Sequence, residues 1–393
     1  MRCRCNIFRP SRSIYPLVAV SERCSAGNLL LTAPMDAWLR RVVREPLRTR
    51  FFQVLRSALT TDDGRAILDE ALVDRLAWMP ASRLQAEWLE PPFAELGRSR
   101  AVSSTPRPIF ITARFRTGST LLWKVFRHLH GFTSYYEPFN ERRWFDPRRR
   151  GSRVDTTHGV DEYWREYDSL GELSRHYNED WIRRRLYMDG RAWDPDMAAY
   201  VDTLVARAKG RPVLQFNRID FRLPWFRHTF PNAILIHLYR HPRDQWCSTF
   251  PTPDEYPCSA PASDYPAHDH FYLRCWAADL KQWFPFLDER RSTHPYELFY
   301  YIWRLSYCLG VTYCHHSLSF EQLVAQPVST LSGLFAAAGI DDALVAGAAA
   351  LVKPAESRWR AYADDSWFRA HEERCDGVLR AFFRIECSAE RCA

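Results

Sequence analysis

Between residues 36 and 96 apolar side chains recur at helical spacing, with Trp38, Val42 and Val43, then Phe51, Phe52 and Leu55, separated by polar positions. Several short helices are expected there. Residues 97–108 interrupt the pattern with Gly97, Ser103, Ser104, Thr105, Pro106 and Pro108, the composition of a linker. Beyond it short apolar runs at 109–113, 213–216 and 233–239 alternate with helix-like stretches: one running through Leu129, a Trp- and Arg-rich helical region, and one near Trp225. That alternation predicts an α/β domain, a parallel sheet layered between crossover helices. Pro251, Pro253, Pro257, Pro261 and Pro266 then mark a long irregular loop just past the third run, a usual position for a segment that covers a site. Helices at 273–287 and 296–309, a strand at 311–318, Ala-rich helices within 331–352 and a helix at 378–385 complete the pattern. The expected organisation is a leader or misplaced start at 1–34, a helical N-terminal extension at 35–100, the α/β domain at 105–360 and a helical tail at 361–393.

Composition narrows this picture. A chain of 393 residues with 46% hydrophobic and 26% charged content can bury one large core. Its net charge of +7, without a Lys/Arg tail, suits an anionic small molecule better than nucleic acid. The longest apolar candidate, 334–352, is interrupted by Asp341 and Asp342, so no membrane span is expected. Eleven cysteines, none in a CxxC pair or at zinc-ligand spacing, read as reduced thiols of a cytoplasmic protein.

Candidate chemistry sits at the ends of two apolar runs. Ala113-Arg114-Phe115-Arg116-Thr117-Gly118-Ser119-Thr120-Leu121-Leu122 reads as strand end, phosphate-sized turn and helix N-terminus, where backbone N–H groups and the helix dipole favour an anion. Against the nucleotide loop GxxxxGK[ST], Gly118 and Thr120 are in register, Ala113 replaces the leading Gly, and Ser119 replaces the lysine used in ATP chemistry. The second run ends at Arg240, with Pro242 opening a helix that carries Ser248. Arg240 therefore stands at the carboxyl end of a parallel strand, where open sheets bind ligands, and a guanidinium and hydroxyl there suit a second phosphate.

Together these motifs resemble those of the PAPS-dependent sulfotransferase family, more its carbohydrate and bacterial members than its phenol-type ones. Arg116-Thr117-Gly118-Ser119-Thr120 is similar to the family's 5′-phosphosulfate loop, and Arg240 with Ser248, spanning Pro242-Arg243-Asp244, is similar to its 3′-phosphate motif. Ser319-Phe320-Glu321-Gln322-Leu323-Val324-Ala325-Gln326-Pro327 resembles its strand-end segment YEDLVxxP. The resemblance implies a three-layer, P-loop nucleotide-kinase-like sulfotransferase fold. It further implies 3′-phosphoadenosine 5′-phosphosulfate (PAPS) as co-substrate, with PAP as product, and no metal. Arg116 would meet the leaving phosphate; Thr117, Gly118, Ser119, Thr120 and Leu121 would cradle it; Arg240 and Ser248 would hold the 3′-phosphate; Ser357 and Arg358, from the late segment 353–360, would contact the nucleotide. Glu137, in a Glu-Pro pair such as those members carry after the loop, is the first choice as base, with His128 and His130 as alternatives. The acceptor would be a small molecule or glycan. A P-loop kinase and a non-catalytic nucleotide-binding module remain as rival readings, and oligomeric state is left open.

Overall fold

The computed structural model describes residues 107–383, apart from 151–158, 161, 251, 253–254, 267–268 and 270, together with residues 53, 54 and 66. The leader at 1–34, nearly all of the extension at 35–100 and the last residues of the tail lie outside the described residues.

Five strands, β1 (Ile109–Ala113), β2 (Phe132–Tyr136), β3 (Arg211–Phe216), β4 (Ile234–Tyr239) and β5 (His316–Ser319), form one sheet in the order β2-β3-β1-β4-β5, with every pairing parallel. All five residues of β1 are buried, as an unbroken apolar run between two helical layers should be. Its neighbours are fixed in register, Ile111 lying opposite Gln215 on one side and Ile236 on the other.

After β1 comes α1 (Ser119–His128), which packs Leu122, Val125 and Phe126 onto one face of the sheet. Burying each such side chain contributes roughly 1.5–3 kcal/mol. On the other face Phe110 meets Phe216, Phe226 and Phe230 edge to face at 5.4–6.0 Å. The chain continues through α2 (Pro195–Arg207), capped by the Asp194 carboxylate, then α3 (Leu223–Thr229), α4 (Pro242–Cys247), α5 (Leu273–Leu280) and the long α6 (Pro295–Tyr313). After β5 follow α7 (Phe320–Ala325), α8 (Pro327–Ala338), α9 (Val345–Ala349), α10 (Trp359–Tyr362) and α11 (Asp365–Phe383). Leu331, Leu334 and Phe335 of α8 complete the layer that α1 begins. Among the described residues no helix is long and apolar enough to cross a membrane.

The α/β architecture is the one the alternation predicts, but several elements differ. The edge strand β2 has no apolar run to mark it, since Phe132-Thr133-Ser134-Tyr135-Tyr136 alternates poorly and only its centre is buried. Its backbone finds partners only when β3 arrives from far along the chain. The Trp- and Arg-rich region forms 3-10 turns at Arg165–Tyr167, Gly171–Arg175 and Glu179–Ile182 instead of the expected helix. Arginines hold it by donating to distant backbone carbonyls, as Arg222 does to Arg184 and Arg185. The helix expected at 273–287 stops at Leu280, with a separate turn at Pro285–Leu287. Residues 311–313, expected in a strand, are the last turn of α6, so the strand begins only at His316. The tail helix starts at Asp365, well before 378, because Arg243 pairs with both Asp365 and Glu372 of α11 at 2.6 and 2.7 Å.

Candidate functional site

The loop after β1 is shaped by two left-handed residues, Arg116 with φ 64° and Gly118 with φ 88°. Thr117 closes it, its N–H and hydroxyl both donating to the Arg114 carbonyl at 3.3 and 2.7 Å. Arg114 itself turns away from the loop, pairing with buried Asp220 at 2.9 Å. The Leu121 N–H donates to Gly118 at 3.0 Å and starts α1, whose first N–H groups have no acceptor within the helix. Alternating right- and left-handed residues at a helix start form the concave nest that suits an anion. Gly118 is required twice over: its φ is costly for any other residue, and a Cβ would stand 2.3 Å from the Phe320 ring. Gly118→Ala is expected to cost about 2 kcal/mol and lower Tm by roughly 4–8 °C. Adding Phe320→Ala should restore only the steric share, which scanning calorimetry on the three variants would check.

The second loop interlocks with the first. Arg240, just past the end of β4, donates through Nη1 to the Arg116 carbonyl at 3.1 Å, while Arg116 donates through Nε to the Ser248 carbonyl at 2.7 Å. Gln245 adds a bond to the Phe115 carbonyl at 2.8 Å. The Arg240 guanidinium lies over the Phe320 ring at 4.9 Å, and its Nε is buried with no hydrogen-bond acceptor. Burial holds its pKa below the ordinary arginine value, against the opposing pull of the Asp244 and Glu321 carboxylates. Ser248 is present at the same place, although its hydroxyl donates to Gln245 within the helix at 2.8 Å. Asp244 does not pair with Arg240. It gathers the late segment, accepting from the Ser357 hydroxyl at 3.0 Å and from the N–H groups of Arg358 and Trp359 at 2.7 and 3.2 Å. The segment after β5 braces both loops: Ser319 caps α7, Phe320 fills the space under Gly118 and Arg240, and Glu321 accepts from the His241 N–H at 2.8 Å.

Glu137 follows β2 directly, at φ 40° and 8% exposed. Its Oε2 accepts from Asn140 at 2.6 Å and from Arg218 at 3.2 Å. Arg218 also reaches Glu141 at 2.7 Å and lies over the rings of Phe115 and Tyr272. Burial disfavours its charge, but Glu137 and Glu141 outweigh that and raise its pKa. The Tyr136 hydroxyl lies between this carboxylate and the loop after β1, bonded to Thr120 at 3.1 Å and near enough to Glu137 to feel its charge. Burial first, then Glu137, pushes its pKa well above the usual tyrosine value, so it stays a neutral hydroxyl.

His128 and His130 are exposed and remote from this cluster. Both lie at the far end of α1, which runs from the carboxyl edge of the sheet to the opposite edge over ~15 Å. Of the arginines clustered at 142–150, Arg143 pairs with Glu179, Arg148 with Asp146 and Arg150 with Asp168; Arg148 is exposed, whereas Arg143 and Arg150 are partly buried. Arg153 lies outside the described residues. Sequence reasoning missed Tyr136, Asn140, Arg218 and Tyr272. Arg218 carried a usable signal, since it follows β3 as Arg240 follows β4. Among the described residues no group of three or more His, Cys, Asp and Glu is set to hold a metal ion.

With this geometry in place, comparison with known proteins gives a family model, described as Sulfotransferase family, that matches residues 108–343. Among curated proteins none matches the chain. Among solved structures, the sulfotransferase domain from the curacin biosynthetic pathway is 15% identical, covering 70% of this chain and 98% of that one at a TM-score of 0.33. The sulfotransferase domain of the Synechococcus PCC 7002 olefin synthase is 18% identical, covering 72% and 97% at a TM-score of 0.34. A sulfotransferase from Mycobacterium tuberculosis H37Rv is 16% identical, covering 68% and 77% at a TM-score of 0.37.

Proposed function

The chain belongs to the sulfotransferase family, and from that premise we propose that it transfers a sulfuryl group from PAPS to a hydroxyl or amine of a small-molecule or glycan acceptor. The observation that carries the reading is the pair of interlocked loops, which sets the start of α1 beside a buried Arg240 Nε lacking an acceptor. The donor set fits a nucleotide with two separated phosphate groups: a Gly118 cradle at a helix start, and two guanidiniums. When bound, PAPS supplies the sulfuryl group, its sulfur–oxygen bond to the 5′-phosphate breaking with the electron pair left on PAP as the bond to the acceptor oxygen forms.

The chain's own residues would meet the needs of that exchange. Thr117, Gly118, Ser119, Thr120 and Leu121 surround the 5′-phosphate with backbone N–H groups and hydroxyls. Arg116 offsets the charge that grows on the leaving oxygen, where such stabilisation has its largest effect on rate. Arg240, with Ser248, holds the 3′-phosphate, and Ser357 and Arg358, fastened by Asp244, close over the nucleotide. Glu137 takes the acceptor's proton, while Arg218 and Asn140 fix the orientation of its carboxylate. The free thiols of the six described cysteines accord with a cytoplasmic setting.

Calorimetric titration with PAP and with 5′-AMP tests the reading. PAP should bind at least tenfold more tightly, because a charge-assisted contact to the 3′-phosphate is worth about 1.5–3 kcal/mol. Arg240→Ala should erase most of that difference. Equal affinity for the two nucleotides, or no binding of either, would refute the assignment. Stronger binding of ATP with magnesium would favour the kinase reading instead.

A further inference from the structure

Beneath the hydroxyl pair Thr120–Tyr136 lies a buried amide with no partner. Gln215, in β3, is 0% exposed, and neither its Oε1 nor its Nε2 meets a hydrogen-bond partner among the described residues. An amide in that state is a costly way to fill a core position, since methionine would occupy similar space with no amide to desolvate.

Strand order fixes what the amide faces. β3 runs between β2 and β1, with Gln215 opposite Tyr136 on one side and Ile111 on the other. Val213, two residues earlier, packs with Ile111 into the layer under α1, so alternation puts the Gln215 side chain on that same face. Tyr136 leans the same way: its ring packs on Trp123 of α1 at 4.9 Å, and its hydroxyl meets the Thr120 hydroxyl at 3.1 Å. Tyr136 stands on β2 and Thr120 at the start of α1, shortly after β1, so their side chains meet across the strand that separates β2 from β1. Gln215 is the residue of that strand in register with Tyr136.

The bond between the two hydroxyls can run either way, because each can donate or accept. Its direction matters to an anion. If Thr120 donates to Tyr136, its proton points into the protein and only lone pairs remain for a ligand. If Tyr136 donates, the Thr120 proton is free to turn outward. A donor placed on the Tyr136 oxygen enforces the second arrangement, and the Gln215 amide has two protons and no acceptor.

We infer that Gln215 is a positioning residue that sets this direction: its amide donates to the Tyr136 oxygen, Tyr136 donates to Thr120, and Thr120 donates to the 5′-phosphate. The inference rests on the transferase reading above and adds to it a residue outside both of the loops proposed to hold anions. A bound phosphate supplies the outward acceptor that the Thr120 proton needs, and each link then strengthens the next. The same arrangement turns the Tyr136 proton away from Glu137, leaving that carboxylate to accept a proton from the substrate.

The test compares the full chain with Gln215→Met, which has a similar length and no donor, by calorimetric titration with PAP and by thermal melting. PAP affinity should fall at least about fivefold, the effect of one lost hydrogen bond, while Tm stays unchanged or rises because an unpartnered amide has left the core. Tyr136→Phe should also weaken PAP, and in that background Gln215→Met should have no further effect, a non-additivity read from the double variant. A loss of less than fivefold, a Tm that drops along with affinity, or additive losses in the double variant would overturn the inference. Normal PAP binding by the native chain would leave the transferase reading standing in each of those cases. Failure of the native chain to bind PAP would overturn both.

Discussion

Glu137→Gln should lower kcat for sulfuryl transfer by roughly 10²–10⁴, the range spanned by removal of a positioned general base. Glutamine keeps the shape and one oxygen to accept from Arg218, so PAP affinity should stay within about twofold and Tm within a few degrees. The readout that separates chemistry from architecture is the contrast between kcat and those two quantities. Glu137 is buried against Arg218 and Asn140, and a residue serving only as an anchor would show its loss chiefly in melting. A glutamine variant that melts early and retains its kcat would therefore make Glu137 a strut for Arg218. Steady-state kinetics with a labelled donor, calorimetry with PAP and a thermal melt on the same preparation would settle the matter.

Arg116→Ala is expected to reduce kcat by roughly 10²–10³, the loss seen when one preorganised donor to a developing charge is removed. PAP binding should weaken far less, because the guanidinium opposes charge that is fully developed only in the transition state. Some loss of affinity is built in, since Arg116 Nε also holds the Ser248 carbonyl at 2.7 Å and thereby fixes the second loop. Arg116→Lys separates the two duties: an ammonium keeps a positive charge but has no Nε in the guanidinium plane to make that bond. Lysine should recover more of the rate than of the melting temperature. Equal losses of affinity and rate in the alanine variant would place Arg116 in binding alone.

Much of the local geometry of this candidate site was legible in the sequence, for an identifiable reason. The two loops proposed to hold anions are local features: a strand end, a turn and a helix start lie within a few residues of one another, so Arg116 to Thr120 and Arg240 to Ser248 could be read from short windows. The strands β1 and β4 were equally plain because burial on both faces demands an unbroken apolar run. What escaped depends on contacts across long stretches of sequence. Arg218 has no motif around it, and its importance comes from Glu137 and Glu141, separated from it by most of the irregular region. Tyr136 looked like one more aromatic until β2 brought its hydroxyl to Thr120. The irregular region misled for a related reason. Its helical spacing of Trp and Arg reflects arginines reaching toward carbonyls and rings, as where Arg150 donates to the Trp144 carbonyl at 2.8 Å. Asp244, four residues after Arg240, has its role set by the late segment, from which it accepts bonds of Ser357, Arg358 and Trp359.

The order of the strands carries one more implication. The loops that end β1 and β4 leave neighbouring strands, whose separation is the ~4.8 Å of a hydrogen-bonded ladder. The span between the two proposed anion stations is consequently a property of backbone, set like the notches of a ruler, and no side-chain exchange at either station can lengthen it. Substitutions there can change how tightly an anion is gripped, but the gap that a ligand must bridge can change only if the sheet itself does.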